Sequence, residues 1–214
     1  MEQKTPFKEL NSGQKLQYIW DYYKIPIIIV IIAVIVITSF VHDVTSQKNT
    51  ALSVVCVNAS GGADTDGDSL FGDVLKSNGY DTSKNEISIN TNINISLDSN
   101  GLDYQNMAVL AAHFSAHDYN ICFMDDKTFD HYAESDSFCD LRDYLDDETI
   151  EKYSDSLTYM TSESDEKIPV GIRLSADTNS WLKDSGLYES CTFGICYGGD
   201  DTDLLKKVSG YILQ

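Results

Sequence analysis

The stretch Ala51–Asn58, ALSVVCVN, decides the fold. Its apolar residues run on without the polar alternation of a half-solvated strand. Turn residues, Asn58-Ala-Ser-Gly-Gly62, close it. A short apolar run bounded in this way suits a strand buried on both faces, as in a parallel sheet.

Working outward from that strand, helices and strands alternate. Asp68–Asn78 carries Leu70, Val74 and Leu75 at helical spacing and stops at Asn78-Gly79, a helix-end signal. Glu86–Ile95 (EISINTNINI) alternates isoleucine with polar residues, the period of a half-buried strand. Leu102–Ala116 places Met107, Leu110, Ala111 and Phe114 on one helical face. Ile121–Met124 (ICFM) is a short buried strand, and Asp126 is positioned to cap a helix that begins near Lys127. Leu141–Leu145 is a turn-like apolar element, and Asp146 caps a helix running to about Ser156. Ile168–Leu174 and Thr192–Tyr197 read as strands, with a short helix Ser180–Ser185 between them that Gly186 ends. Asp200 or Asp201 caps a last helix bearing Leu204, Leu205, Val208, Tyr211 and Ile212. This alternation implies an α/β sheet with right-handed crossovers.

Upstream lies a different kind of segment. Ile25–Val41 (IPIIIVIIAVIVITSFV) holds no charge. Soluble helices show a polar face, and this run has none. Its length is at the short end of what crosses a bilayer. Tyr18, Trp20, Tyr22 and Tyr23 precede it, where amphipathic rings favour the headgroup layer. Pro26 falls in the first turn of the run, where its missing N–H costs little. No small-x-small cleavage pattern follows. The sequence therefore predicts an uncleaved signal anchor: a cytoplasmic segment at 1–24, a transmembrane helix at 25–43 and an extracytoplasmic α/β domain at 44–214. The flanks set the direction. Lys4, Lys8, Lys15 and Lys24 precede the run, and only Lys48 follows closely. The expected address is the cell membrane, single-pass, with the C-terminal domain extracellular and the lipid bilayer as a partner.

The chain has 214 residues and a formal net charge of −19. Beyond the apolar run lie 11 of its 15 basic and 31 of its 34 acidic residues. Such a balance disfavours nucleic acid and anionic lipid surfaces as ligands. Five cysteines (Cys56, Cys122, Cys139, Cys191, Cys196) are an odd number. At least one therefore stays unpaired within the chain. Cys56, Cys122 and Cys196 fall inside apolar strand-like runs and read as small buried core residues. A Cys139–Cys191 or Cys191–Cys196 disulfide is the alternative.

Few constellations suggest chemistry. Asp64, Asp66 and Asp68 stand two apart, a spacing with which a loop can wrap Ca²⁺ in oxygen ligands. The EF-hand pattern fails, since Ser69 stands where glycine is needed and no glutamate closes the loop. A solvated acidic loop that places charge at a helix N-terminus is the competing reading. His113 and His117 are four apart on a predicted helix and could share a zinc face. No third ligand is in sight, so partly exposed histidines are the competing reading. Among aromatics, Trp181 and Tyr197 are the candidates to line a ligand cleft. There is no G-x-S-x-G, P-loop, G-x-G-x-x-G or S-x-x-K motif. The sequence implies neither an enzyme nor a cofactor.

Three stretches carry a family resemblance: Tyr119–Leu145 (YNICFMDDKTFDHYAESDSFCDLRDYL), Ile168–Ser175 (IPVGIRLS) and Thr192–Leu213 (TFGICYGGDDTDLLKKVSGYIL). In order and type they resemble extracellular solute-binding proteins of the type 2 periplasmic-binding fold, in the small membrane-anchored variants common in Firmicutes. The resemblance implies a strand, helix and "D-L-x-x-Y-L" element, then a strand crossing between lobes, then a late strand and helix. One departure stands out. Lys48–Gln214 is 167 residues, short for two lobes, and the shortage falls between Leu145 and Ile168. The resemblance thus implies one lobe or a strongly reduced pair, and no ligand contacts carry over. Three functions remain open on the sequence. The first is a non-enzymatic surface protein acting in binding or in interaction with membrane or envelope proteins. The second is a receptor delivering a small molecule to a transporter, and the third a surface enzyme.

Overall fold

A computed structural model describes residues 12–46, 48–60, 66–97, 104–135, 137–162, 165–199 and 201–214. The chain divides into two units, Met1–Gln47 and Lys48–Gln214. The first contains helix α1 (Ser12–Ser46), with Pro26 inside it.

Among the described residues, no helix is long and apolar enough to cross a membrane. This corrects the expected transmembrane signal anchor at Ile25–Val41. With it go the single-pass cell-membrane address, the cytoplasmic N-terminus and the extracellular placement of the domain. Phe40, Val41 and the aromatic flank at Tyr18, Tyr22 and Tyr23 lie outside the described side chains.

The second unit is built on one six-stranded mixed sheet. In chain order its elements are β1 (Asn49–Cys56), α2 (Gly67–Ser77), β2 (Asn85–Asn90), α3 (Tyr104–Ser115), β3 (Ile121–Met124), α4 (Asp126–Ala133), α5 (Asp147–Lys152), β4 (Leu157–Thr161), β5 (Lys167–Ser175), α6 (Ser180–Ser185), β6 (Ser190–Ile195) and α7 (Thr202–Ile212). A 3₁₀ turn at Leu141–Asp143 follows α4. The strand order is β2-β1-β3-β6-β5-β4. β1 runs parallel to both β2 and β3, whereas β6 is antiparallel to β3 and to β5, and β4 is antiparallel to β5. The all-parallel pattern suggested by continuous apolar runs therefore holds for half the sheet. In the antiparallel half, β5 and β6 are also buried through most of their length, so their runs look the same.

Alternate residues of β1 serve opposite faces. Leu52, Val54 and Cys56 join a core with Phe71 and Leu75 of α2, Trp181 and Leu182 of α6, and Leu205 and Val208 of α7. Val55 and its follower Val57 join a second core with Leu110 of α3 and Phe129 and Tyr132 of α4. Both faces are covered, which is why ALSVVCVN lacks a polar side. Cys56, Cys122, Cys191 and Cys196 are free thiols, the first three buried and Cys196 partly so, and Cys139 is partly buried as well.

Much of the acidity is structural. Asp66, Asp125, Asp146 and Asp201 cap α2, α4, α5 and α7, each accepting from a backbone N–H of the first turn. A cap of this type is worth about 1 kcal/mol. Asp125, not Asp126, is the cap of α4, and Asp201 is that of α7, while Asp200 lies outside the described residues. β2 stops at Asn90, so the alternation through Ile95 continues as irregular chain whose Ile93 and Ile95 are still buried. The stretch where a second lobe was expected to be missing holds β4, which the sequence reading passed over.

Candidate functional site

In open α/β sheets, ligands bind outside the strand C-termini where the chain reverses its direction of winding. Here that point lies between β1 and β3. The chain leaves β1 through α2 to β2, then returns through α3 to β3 on the other side of β1. α2 covers one face and α3 the other.

The protein's own groups occupy this crevice. Asn58, just past β1, sits at φ 59°, a left-handed conformation that asparagine tolerates better than most residues. Its Oδ1 accepts the Ile95 N–H at 2.7 Å, and its Nδ2 donates to the Ile95 carbonyl at 2.9 Å and to Asp125 Oδ2 at 2.7 Å. Asp125 also accepts the Thr128 hydroxyl at 2.7 Å and the Thr128 N–H at 3.1 Å. Burial works against ionisation of Asp125, but these donors outweigh it and hold the carboxyl below its ordinary value. The carboxylate thus spends its acceptor capacity on the fold.

Tyr188 closes the gap. Its hydroxyl lies 2.7 Å from the Val57 carbonyl oxygen and 3.1 Å from that of Phe123, donating between the two strand ends. Burial, reinforced by the neighbouring Cys56 thiol, raises the phenol's pKa, so it remains a donor. The Ser60 N–H donates to the Leu187 carbonyl at 2.8 Å, tying the β1 loop to the same segment.

The second feature lies at the far edge of the sheet. A groove of about 890 Å³ runs beside β4, lined by Asp130, Ala133 and Glu134 on one side and by Thr158–Ser162 on the other. Phe129 seats α4 against the sheet and so fixes this groove's wall. Its ring packs over Gly171 and Gly194, which face each other across β5 and β6. A Cβ on either glycine would come within 2.6 Å of the ring. Phe138 stacks on the other side of Phe129, with centroids 4.3 Å apart. Thr158 is 7% exposed, and its hydroxyl is buried without a hydrogen-bond partner.

The residues singled out from sequence fall elsewhere. Asp64 lies outside the described residues. Asp66 is the α2 cap and accepts from the Asp68 N–H, while Asp68 pairs with Lys48. These two carboxylates are engaged as a cap and an ion pair. Among the described residues, no group of three metal-ligating side chains occurs. His113 bonds Asp118 at 2.8 Å, whereas His117 stacks on Tyr197 with centroids 4.4 Å apart. The two imidazoles thus take separate partners.

Trp181 is 7% exposed and stacks on both Phe71 and Phe123, at 5.5 and 5.0 Å. It is a core residue that reaches the rim of a smaller groove of about 250 Å³ beside Ser69, Asp184 and Tyr211. Tyr197 is 37% exposed over His117. Trp181 and Tyr197 have different surroundings and do not face one cleft through these contacts. The sequence reading missed Asn58 and Tyr188 at the crevice and Thr158 and Glu134 at the groove. The β-branched and aromatic residues of Leu-Thr-Tyr-Met-Thr at 157–161 were the available signal for the latter.

Searches of the chain against protein-family models, curated proteins and solved structures returned no match.

Proposed function

We propose that the Lys48–Gln214 unit is a non-enzymatic binding domain that engages a partner at its surface. The observation that carries this reading is the open groove along the β4 edge, with the buried Thr158 hydroxyl left without a partner in its wall. A buried hydroxyl without a hydrogen bond costs roughly 1–3 kcal/mol, and a bound partner that supplies an acceptor or donor removes that cost.

The self-filled crevice argues against the rival reading of a solute receptor. A receptor needs convergent polar groups free to meet a ligand. The polar groups that converge here, Asn58, Asp125 and the Tyr188 hydroxyl, already satisfy one another and the strand ends. A single sheet with such a crevice is compatible with descent from one lobe of a solute-binding-like fold, and that ancestry remains part of the proposal.

A thermal-shift screen of the full chain against amino acids, sugars and short oligopeptides tests the reading. We expect no stabilisation by free amino acids or sugars. A saturable shift with one of these that Tyr188→Phe alters would replace the surface-binding reading with the receptor.

A further inference from the structure

We propose that the groove beside β4 receives an extended, lysine- or arginine-rich segment of a partner protein, which pairs with β4 as a seventh strand. This rests on the reading of the domain as a surface-binding module and specifies the partner.

Three observations converge on that occupant. First, β4 ends the sheet, and among the described residues no strand lies beyond it. The outer side of an edge strand presents backbone N–H and C=O groups that an added strand can pair with. β4 spans five residues, or about 17 Å at roughly 3.3 Å per residue, enough for a short segment to pair along its length.

Second, the space beside that edge is walled. The groove's opposite side is α4, so an added strand lies in a trough of about 890 Å³ rather than on an open edge. Thr158, more than nine-tenths buried, lines that trough, and its hydroxyl has no hydrogen-bond partner. Tyr159, on the exposed side, offers an aromatic surface.

Third, charge selects the occupant. The lining holds two carboxylates, Asp130 and Glu134, and no basic side chain. They stand four apart along α4 and its C-terminal cap, so they share a face. Asp130 leans toward Arg173 at 3.3 Å. Glu134 has no cation within ion-pairing distance among the described residues, and it caps the C-terminus of α4, the negative end of the helix dipole. A carboxylate placed there is unfavourable by itself and becomes favourable beside a bound cation.

The same charges argue against a second copy of this chain. A copy carries −19 and would set its own carboxylates against these. The irregular register between Thr158 and Tyr159 further guards the edge against indiscriminate pairing.

The test is a fluorescence-polarisation titration of the full chain with a labelled peptide of about eight residues, alternating lysine with valine or threonine. Two further peptides carry backbone N-methyl groups on one edge or on the other. We expect saturable binding that one N-methylated peptide loses roughly tenfold while the other retains it. Glu134→Lys should weaken binding roughly tenfold, and a glutamate-for-lysine peptide should not bind. Equal binding of both N-methylated peptides would overturn strand addition. Binding that Glu134→Lys leaves unchanged would overturn the groove as its site, and absence of saturable binding would overturn the basic occupant. None of these failures touches the wider reading, which the solute screen decides on its own.

Discussion

The strand-end crevice and the β4 groove are built from the same kinds of residue, yet one is closed and the other open. At the crevice, an asparagine, an aspartate and a tyrosine meet one another, so each polar atom has a partner. At the groove, a threonine hydroxyl has none and a glutamate stands at the wrong end of a helix. A polar cluster that satisfies itself is part of the scaffold. A polar group left unsatisfied in a walled trough calls for an explanation, and the proposed partner strand supplies one.

The comparison can be broken from the closed side first. Tyr188→Ala should destabilise the full chain by about 3–5 kcal/mol, read by urea denaturation, because it removes a buried ring and the hydrogen bond between strand ends. A loss under about 1 kcal/mol would mean that Tyr188 does not hold the crevice shut. Gly194→Val should cost about 1–3 kcal/mol or more through collision with Phe129. It should also weaken peptide binding, since the displaced helix is the groove wall. Unchanged peptide affinity would show that α4 does not shape the site.

Asn58→Ala should cost about 1–3 kcal/mol, leaving the Ile95 N–H and carbonyl without partners and taking one donor from Asp125, at a backbone position that alanine dislikes. The pH dependence sharpens this. The folded-state pKa of Asp125 lies below its ordinary 3.8. Its stabilising share is therefore fully present above that value and is lost as pH falls through the folded pKa. The stability gap between wild type and Asn58→Ala should accordingly narrow between about pH 6 and about pH 3. A gap of constant size in urea titrations at both pH values would place the stabilisation in Ile95 alone.

The smallest effect belongs to the open side. Thr158→Val is close to isosteric and removes a buried hydroxyl that has no partner. Stability should stay level or rise by up to about 1 kcal/mol, while affinity for the lysine peptide falls. A clear loss of stability would mean that the hydroxyl is already satisfied, and the contrast between the two regions would disappear.

Most elements of the α/β unit were legible because they are local. Apolar runs bounded by turns marked β1, β3, β5 and β6, helical spacing closed by Asn78-Gly79 marked α2, and aspartates ahead of helices marked α5 and α7. β4 escaped because five residues with a register irregularity hold too few periods to stand out. The cap of α4 was misplaced by one residue because Asp125 and Asp126 are both good caps, and only the bond to Thr128 separates them. Trp181 looked like a cleft aromatic, but Phe71 and Phe123, more than fifty residues away in the chain, sandwich it. The apolar stretch beginning at Ile25 invited a membrane span. Among the described residues, no helix meets the length and apolarity that a span requires.

By itself, the sequence determined what periodicity and composition encode: alternating helices and strands, an acidic surface, and burial of β1 on both faces. Those properties depend on neighbours a few residues apart, where backbone geometry ties spacing to face. Only the tertiary structure decided which half of the sheet is parallel and which crevice fills itself. It also left the Thr158 hydroxyl without a partner. Asn58 meets Asp125 across 67 residues and Tyr188 meets Val57 across 131. Contacts of that separation come from strand order, which local patterns do not encode.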